Sequence, residues 1–278
     1  MSPRVLRIHV AVTVVLSCAL PGAGSAQQPG ASAREAAPID ITGHWVSLIT
    51  DDWVYRMLTP ARGDYSYVPL NDAGRREADR FDPAIDAGAG QACKAYGAPA
   101  IMRLPSRVEI SWEDDNTLRL DIDTGMQTRL FHFDPQRPAG PRSIQGHSRA
   151  AWEFSGDIGR QLVFGGAATS LDRVGVTGAL QVDTSNLLAG YLRRNGVPYS
   201  EDAFMTEYYN LILEDDGNEY LVIQTFVDDP TYLREHFVRT LQFKREPSGA
   251  ARQPLGCAAA TALSYTAGGL PRPDGVGR

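Results

Sequence analysis

The chain is poor in the residues that announce common chemistries. It holds three cysteines and five histidines in 278 residues. Neither a Cys-x-x-Cys pair nor a His-Glu-x-x-His pair occurs, so the usual zinc sites are not expected. No glycine-rich loop joins an apolar strand to a helix, which argues against a nucleotide-phosphate cradle. Net charge is −6 without a large block of one sign, so neither a nucleic-acid groove nor a basic membrane face is indicated. Helical periodicity is scarce. One short helix is expected at residues 71–80, with Asn71 as cap and Asp82-Pro83 beyond its end, although Gly74 weakens it. Residues 186–194 offer one more helical turn. No run beyond the N-terminus is apolar and long enough for a transmembrane helix. These absences predict no cofactor, no metal and no nucleic-acid partner.

What is present begins with a leader. Arg4 and Arg7 precede an apolar run at residues 10–20, which Pro21-Gly22 break. Gly24-Ser25-Ala26 then supply small residues for cleavage, the order of a secretory signal peptide at residues 1–26. In a second reading, Val15-Leu16-Ser17-Cys18 resembles a lipobox and Cys18 carries a lipid anchor. Either way the mature chain works in the periplasm or outside the cell. Residues 27–39 read as a flexible tether, residues 40–257 as one domain, and residues 258–278 as a flexible tail. Cys93 and Cys257 remain as an even pair in an oxidising compartment, where a disulfide is expected; two buried thiols are the alternative.

Period-two patterning dominates the domain. Val108, Ile110 and Trp112 alternate with polar residues, as do Leu118, Leu120 and Ile122, and residues 126–133 follow after Thr124-Gly125. Residues 152–154, 162–164 and 179–184 are shorter candidates, and residues 204–213, 220–227 and 237–245 stronger ones. Asp215-Asp216-Gly217-Asn218 is a hairpin turn. Strands so regularly spaced predict an all-β fold, a single antiparallel β-barrel with one or two short peripheral helices.

The opening Gly43-His44-Trp45 resembles the Gly-x-Trp signature of lipocalin-like barrels. That resemblance implies a glycine permitting close approach and a tryptophan, Trp45, plugging one end. Pro69-Leu70-Asn71, Tyr96-Gly97-Ala98-Pro99, Asp183-Thr184-Ser185-Asn186, Thr206-Glu207 and Asp228-Asp229-Pro230-Thr231-Tyr232 are similar to blocks in a group of uncharacterised secreted bacterial proteins. This second resemblance implies a secreted β domain and no particular activity.

Strand parity supplies the candidate chemistry. Glu207 shares a face with Met205, Tyr209 and Leu211, and Arg239 with Phe237, Leu241 and Phe243. A charge pointed among apolar residues needs a partner, so Glu207 and Arg239 are expected to pair. The pair would orient a ligand, move a proton, or simply fix strand register. His132, on the face of Met126 and Leu130, is a candidate acid/base. Gly146-His147-Ser148-Arg149-Ala150 superficially resembles a nucleophile elbow, but no helix pattern follows Ser148, so hydrolase chemistry is not expected. His147 remains a candidate on a loop folded over the barrel mouth. Trp45, Trp53, Tyr55 and Tyr209 are the candidate aromatic contacts for a ligand.

The leading expectation is therefore binding of a small, partly apolar or aromatic molecule inside the barrel. The first alternative is a cofactor-independent lyase, isomerase or hydratase using Glu207, His132 and Arg239 in that cavity. The second is an envelope structural or interaction protein.

Overall fold

The computed structural model describes residues 30–154, 178–259, 263–264 and 272–273. The leader, its Cys18 alternative and the strand expected at residues 162–164 lie outside the described residues. Nine strands close into one barrel. They are β1 Gly43–Leu48, β2 Arg107–Asp114, β3 Thr117–Ile122, β4 Gln127–His132 and β5 His147–Phe154. They continue as β6 Gly178–Ser185, β7 Phe204–Leu213, β8 Glu219–Asp228 and β9 Phe237–Arg245.

Each barrel strand lies beside its predecessor, and β1 closes the ring by pairing with both β2 and β9. A ring with an odd number of strands cannot alternate direction all the way round, so one neighbouring pair must be parallel. That pair is β4 and β5, joined at Phe131↔Ser148 and His132↔Arg149. The expectation of a wholly antiparallel barrel is corrected at this seam. Parallel neighbours cannot be joined by a tight turn, and residues 133–146 form the crossover.

The alternation read from the sequence points apolar side chains inward. Leu120, Phe131, Val182, Tyr209, Ile223 and Leu241 are at most 1 % exposed and belong to one core cluster. Side chains thus fill the barrel interior, as small barrels allow. From the segment expected to be a tether, Ala33, Ala37 and Ile39 pack against the barrel at one end. Ala33 is fully buried, its N–H donates to Asn116 Oδ1 at 2.9 Å, and its carbonyl accepts from Trp152 Nε1 at 2.7 Å.

Beyond the other end of β1, residues 49–106 form a cap. It contains short α-helices at Trp53–Met57, Asp72–Asp79, Pro83–Gly88 and Ala98–Ile101, with a 3₁₀ turn at Ala92–Tyr96. This exceeds the one or two helices expected, because segments of so few turns carry almost no periodic signal. Asn71 does cap its helix, accepting from Gly74 N at 2.9 Å. Gly74 is needed there, since a Cβ would lie 2.5 Å from Tyr232 O. The expected helical turn at residues 186–194 is corrected: Gly190–Arg193 pairs with Val197–Tyr199 as a hairpin around Asn195-Gly196, a dipeptide that favours such turns.

Several blocks that carried the second resemblance meet at this cap. Asn71 donates from Nδ2 to Thr231 O at 3.0 Å and from its N–H to Tyr232 O at 2.9 Å. Asp229, fully buried, accepts from Ser200 Oγ and Ser200 N at 2.7 Å each. These residues build the fold.

Trp45 is fully buried and donates to Ile41 O at 2.9 Å, while the Arg245 guanidinium lies 4.3 Å from its ring centroid. Gly43 has φ 116, and a Cβ there would lie 2.6 Å from Arg245 Nη1. Gly43→Ala is therefore expected to lose roughly 1–3 kcal/mol through backbone strain and displacement of Arg245. A denaturant midpoint equal to wild type would contradict this.

Cys93 and Cys257 form a disulfide across a separation of 164 residues. It fastens the C-terminal segment beside Thr124–Gly125, with which Leu255–Gly256 pairs in parallel.

Candidate functional site

Among the described residues, three groups of buried polar side chains bear on function. The first is in the barrel core. Glu207 is fully buried and Arg129 is 1 % exposed. Arg129 donates to Glu207 through Nη1 at 3.1 Å and Nη2 at 2.5 Å, and Tyr209 OH donates at 3.2 Å. Burial, the largest single influence, pulls the Arg129 guanidinium down, but the charges and hydrogen bonds of Glu207 and Tyr209 together outweigh it and the net shift is upward. Burial first, and then Glu207, hold the Tyr209 phenol well above its ordinary value. Arg129 Nη2 also donates to Thr184 Oγ1 at 3.4 Å, its Nε has no partner among the described residues, and the bidentate pair resembles a register-fixing ion pair.

The expected Glu207–Arg239 partnership is corrected. Glu207 faces Thr225 in the ladder and Thr225 faces Arg239, so the two charges share a row two strands apart. Arg129 reaches Glu207 from β4, whereas Arg239 is drawn to Asp52 of the cap. The signal for Arg129 was available, since it shares parity with Phe131 and Phe133.

The second place is the parallel seam. His132 ends β4 and His147 begins β5, so His147 is on a strand and not on a loop over a mouth. Their rings stack at 5.4 Å with 24° between planes. His132 Nδ1 lies 3.5 Å from Thr117 Oγ1, and His147 Nε2 has no partner among the described residues. Burial, followed by Arg137 and His147, lowers the His132 pKa; burial, followed by Arg149 and Arg137, lowers that of His147. A histidine with a depressed folded-state pKa stabilises the fold above its unfolded value of about 6.5 and loses that contribution as pH falls through the folded value. Thermal stability should therefore drop as pH falls from about 6.5 into the range below the lowered folded-state values. The drop should flatten in His132→Asn/His147→Asn. An equally steep profile in the double variant would contradict this assignment. No group of three or more histidine, cysteine or carboxylate residues able to hold a metal occurs among the described residues.

The third place, at the capped end, was largely missed in the sequence. Arg56, Arg103, Arg193 and Arg239 surround Asp52. Arg56, Arg103 and Arg193 are only 3 %, 6 % and 3 % exposed. Arg56 follows the N-terminal part of helix Trp53–Met57. It donates to Arg103 O at 3.0 Å, Leu48 O at 3.2 Å and Asp51 Oδ1 at 3.2 Å. Arg103 donates to Leu192 O at 3.3 Å and Asp52 Oδ2 at 3.1 Å. Arg239 donates to Tyr67 O and Val238 O at 2.7 Å each, and its Nε lies 3.0 Å from Asp52 Oδ2. Arg193 projects from the Gly190–Arg193 strand, with its guanidinium 4.2 Å from the Tyr55 ring centroid.

The arrangement leaves cationic donors unspent. Nε, Nη1 and Nη2 of Arg193, Nη2 of Arg56 and Nε of Arg103 have no hydrogen-bond partner among the described residues. Burial, with Arg193 and Arg239 nearby, pushes the Arg103 pKa down to about 9. Burial is also the first cause that pushes Arg193 down to about 10; Asp52 opposes it and Arg239 adds to it. Both groups remain cationic at neutral pH. Asp52 and Tyr67 hold left-handed backbone conformations, at φ 51 and 62, and such strain concentrates at functional sites. A cleft of about 330 Å³ opens beside Arg239, between Tyr67–Pro69 and residues 235–238.

Of the residues expected at a site, only Arg239 and Tyr55 come together here. Trp53 faces solvent at 59 % exposure, while Trp45 and Tyr209 belong to the core. Glu207, His132 and Arg239 occupy three separate places. Protein-family models, curated proteins and solved structures contain no match to this chain.

Proposed function

We propose that the protein binds a small molecule through an anionic group seated among Arg56, Arg103 and Arg193 at the capped end of the barrel. The observation that carries this reading is Arg193. It is 3 % exposed, yet none of its three guanidinium nitrogens has a hydrogen-bond partner among the described residues. A buried charge with no direct ion pair and no hydrogen-bond partner is costly even though Asp52 and Asp64 act on it through space, and a bound anion lowers that cost. Tyr55, stacked on Arg193, offers the ligand an aromatic neighbour, and a separate cleft lined by Tyr67, Val68 and Phe237 opens beside Arg239 at the same end. This keeps the small-molecule reading and the lipocalin-like comparison, but moves the ligand from the barrel interior to its end. The leader pattern and the disulfide support work in the periplasm or outside the cell.

The acid/base enzyme reading needs Glu207, His132 and Arg239 around one point, and their separation disfavours it. The interaction-protein reading draws on exposed Trp53, Met57 and Tyr67, at 59 %, 54 % and 74 %, around the same end. Native mass spectrometry of the purified full chain separates the two. Binding predicts a small anionic molecule carried by the wild type and absent from Arg193→Met. A protein partner at unchanged stoichiometry in both, with no small molecule, would favour the interaction reading.

A further inference from the structure

The arginine-rich end constrains the charge and shape of what it holds. Arg56 has Asp51 as its direct counter-ion, and Arg103 and Arg239 share Asp52. Asp51 is half exposed, so its charge is partly spent on water. Arg193 makes no direct ion pair in this set; Asp52 and Asp64 act on it through space. Positive charge therefore exceeds what the adjacent carboxylates neutralise. The unspent N–H groups belong to three different side chains, which come from a cap helix, the segment after Ala98–Ile101 and the Gly190–Arg193 hairpin. A carboxylate is planar, with two oxygens and one charge, and suits a single guanidinium fork. A terminal phosphoryl group presents three acceptor oxygens in a tetrahedral array and carries up to two charges. Several arginines can thus share it, each with its own oxygen.

We infer that the anion seated here is a terminal phosphoryl group, held by Arg193 with Arg56 and Arg103. This rests on the anion-binding reading above and names the class of ligand for that same site. Two sources could supply the group, inorganic phosphate and an organic phosphate monoester, and the Tyr55 ring beside Arg193 favours the monoester.

The test is calorimetric titration of the purified full chain with inorganic phosphate, phenyl phosphate, phenyl sulfate and benzoate. At pH 7.5, phenyl phosphate should bind at least about tenfold tighter than phenyl sulfate, which has the same shape and one charge fewer. That ratio should fall toward one at pH 5, below the monoester's second pKa of about 6. Phenyl sulfate does not titrate in this range, so any effect of pH on the protein itself acts on both ligands and cancels in the ratio. Tighter binding of phenyl phosphate than of inorganic phosphate identifies the monoester as the source; the reverse identifies the free anion. Arg193→Met should abolish the phosphoryl preference. Equal affinities for phenyl sulfate or benzoate, still dependent on Arg193, would overturn the phosphoryl assignment and leave anion binding standing. No binding of any anion to the wild type would overturn both. The ligand comparison is made on the wild type, so it does not depend on how the variant folds.

Discussion

Arg129→Met should lose about 3–5 kcal/mol of stability at neutral pH, the cost of breaking a buried ion pair by removing one partner. The variant leaves the Glu207 carboxylate in the barrel core with only the Tyr209 hydroxyl to donate to it. That carboxylate must either stay charged among apolar side chains or bind a proton. The deficit should therefore shrink as pH is lowered toward the ordinary carboxylate range, near 4.3. Arg129→Met/Glu207→Leu should recover most of the loss, because apolar replacement of a whole buried pair is often neutral or better. Urea denaturation of both variants at pH 7 and pH 5 checks this. If the double variant is no more stable than the single, the pair contributes something other than mutual neutralisation.

Loss of the Cys93–Cys257 bridge should cost about 2–4 kcal/mol, because a loop of this length frees much conformational entropy in the unfolded chain. The native C-terminal segment keeps other anchors. Asp123 accepts from Arg252 Nε at 2.7 Å and from Gln253 N at 2.5 Å, and its carbonyl accepts from Leu255 N at 2.9 Å. The barrel should therefore remain folded in Cys93→Ser/Cys257→Ser, with the loss read as a lower denaturant midpoint and an unchanged circular dichroism spectrum. A midpoint equal to wild type would show that the bridge does not constrain the unfolded chain.

The barrel strands were legible because inward and outward residues alternate over whole strands, as in residues 204–213 and 237–245. The parallel seam was not, because it follows from the odd strand count, and no single strand carries that information. The cap helices were too short to show a period. For the site, parity correctly turned Glu207 inward but could not choose its partner. Arg129 competes for that role from across the barrel, and Asp52, which takes Arg239, lies in a helical cap that parity does not describe. His132 and His147 each stand out singly in the sequence, and their stacking depends on the seam. Arg56, Arg103 and Arg193 arrive from separate segments. Their one sequence signal is local: Arg103 interrupts the apolar run Ile101-Met102-Arg103-Leu104, and Arg193 stands directly after Tyr191-Leu192. Their convergence is a tertiary fact.

The unspent charge of Arg193 bears most of the functional account, and the thermal midpoint of ligand-free Arg193→Met tests it most directly. Removing a buried charge that has no direct ion pair and no hydrogen-bond partner should raise stability by about 1–3 kcal/mol, a rise of roughly 2–4 °C in Tm for each kcal/mol in a domain of this size. The same variant should lose the stabilisation that added anion gives the wild type. A ligand-free Arg193→Met that melts well below the wild type would contradict the account and make Arg193 a structural residue.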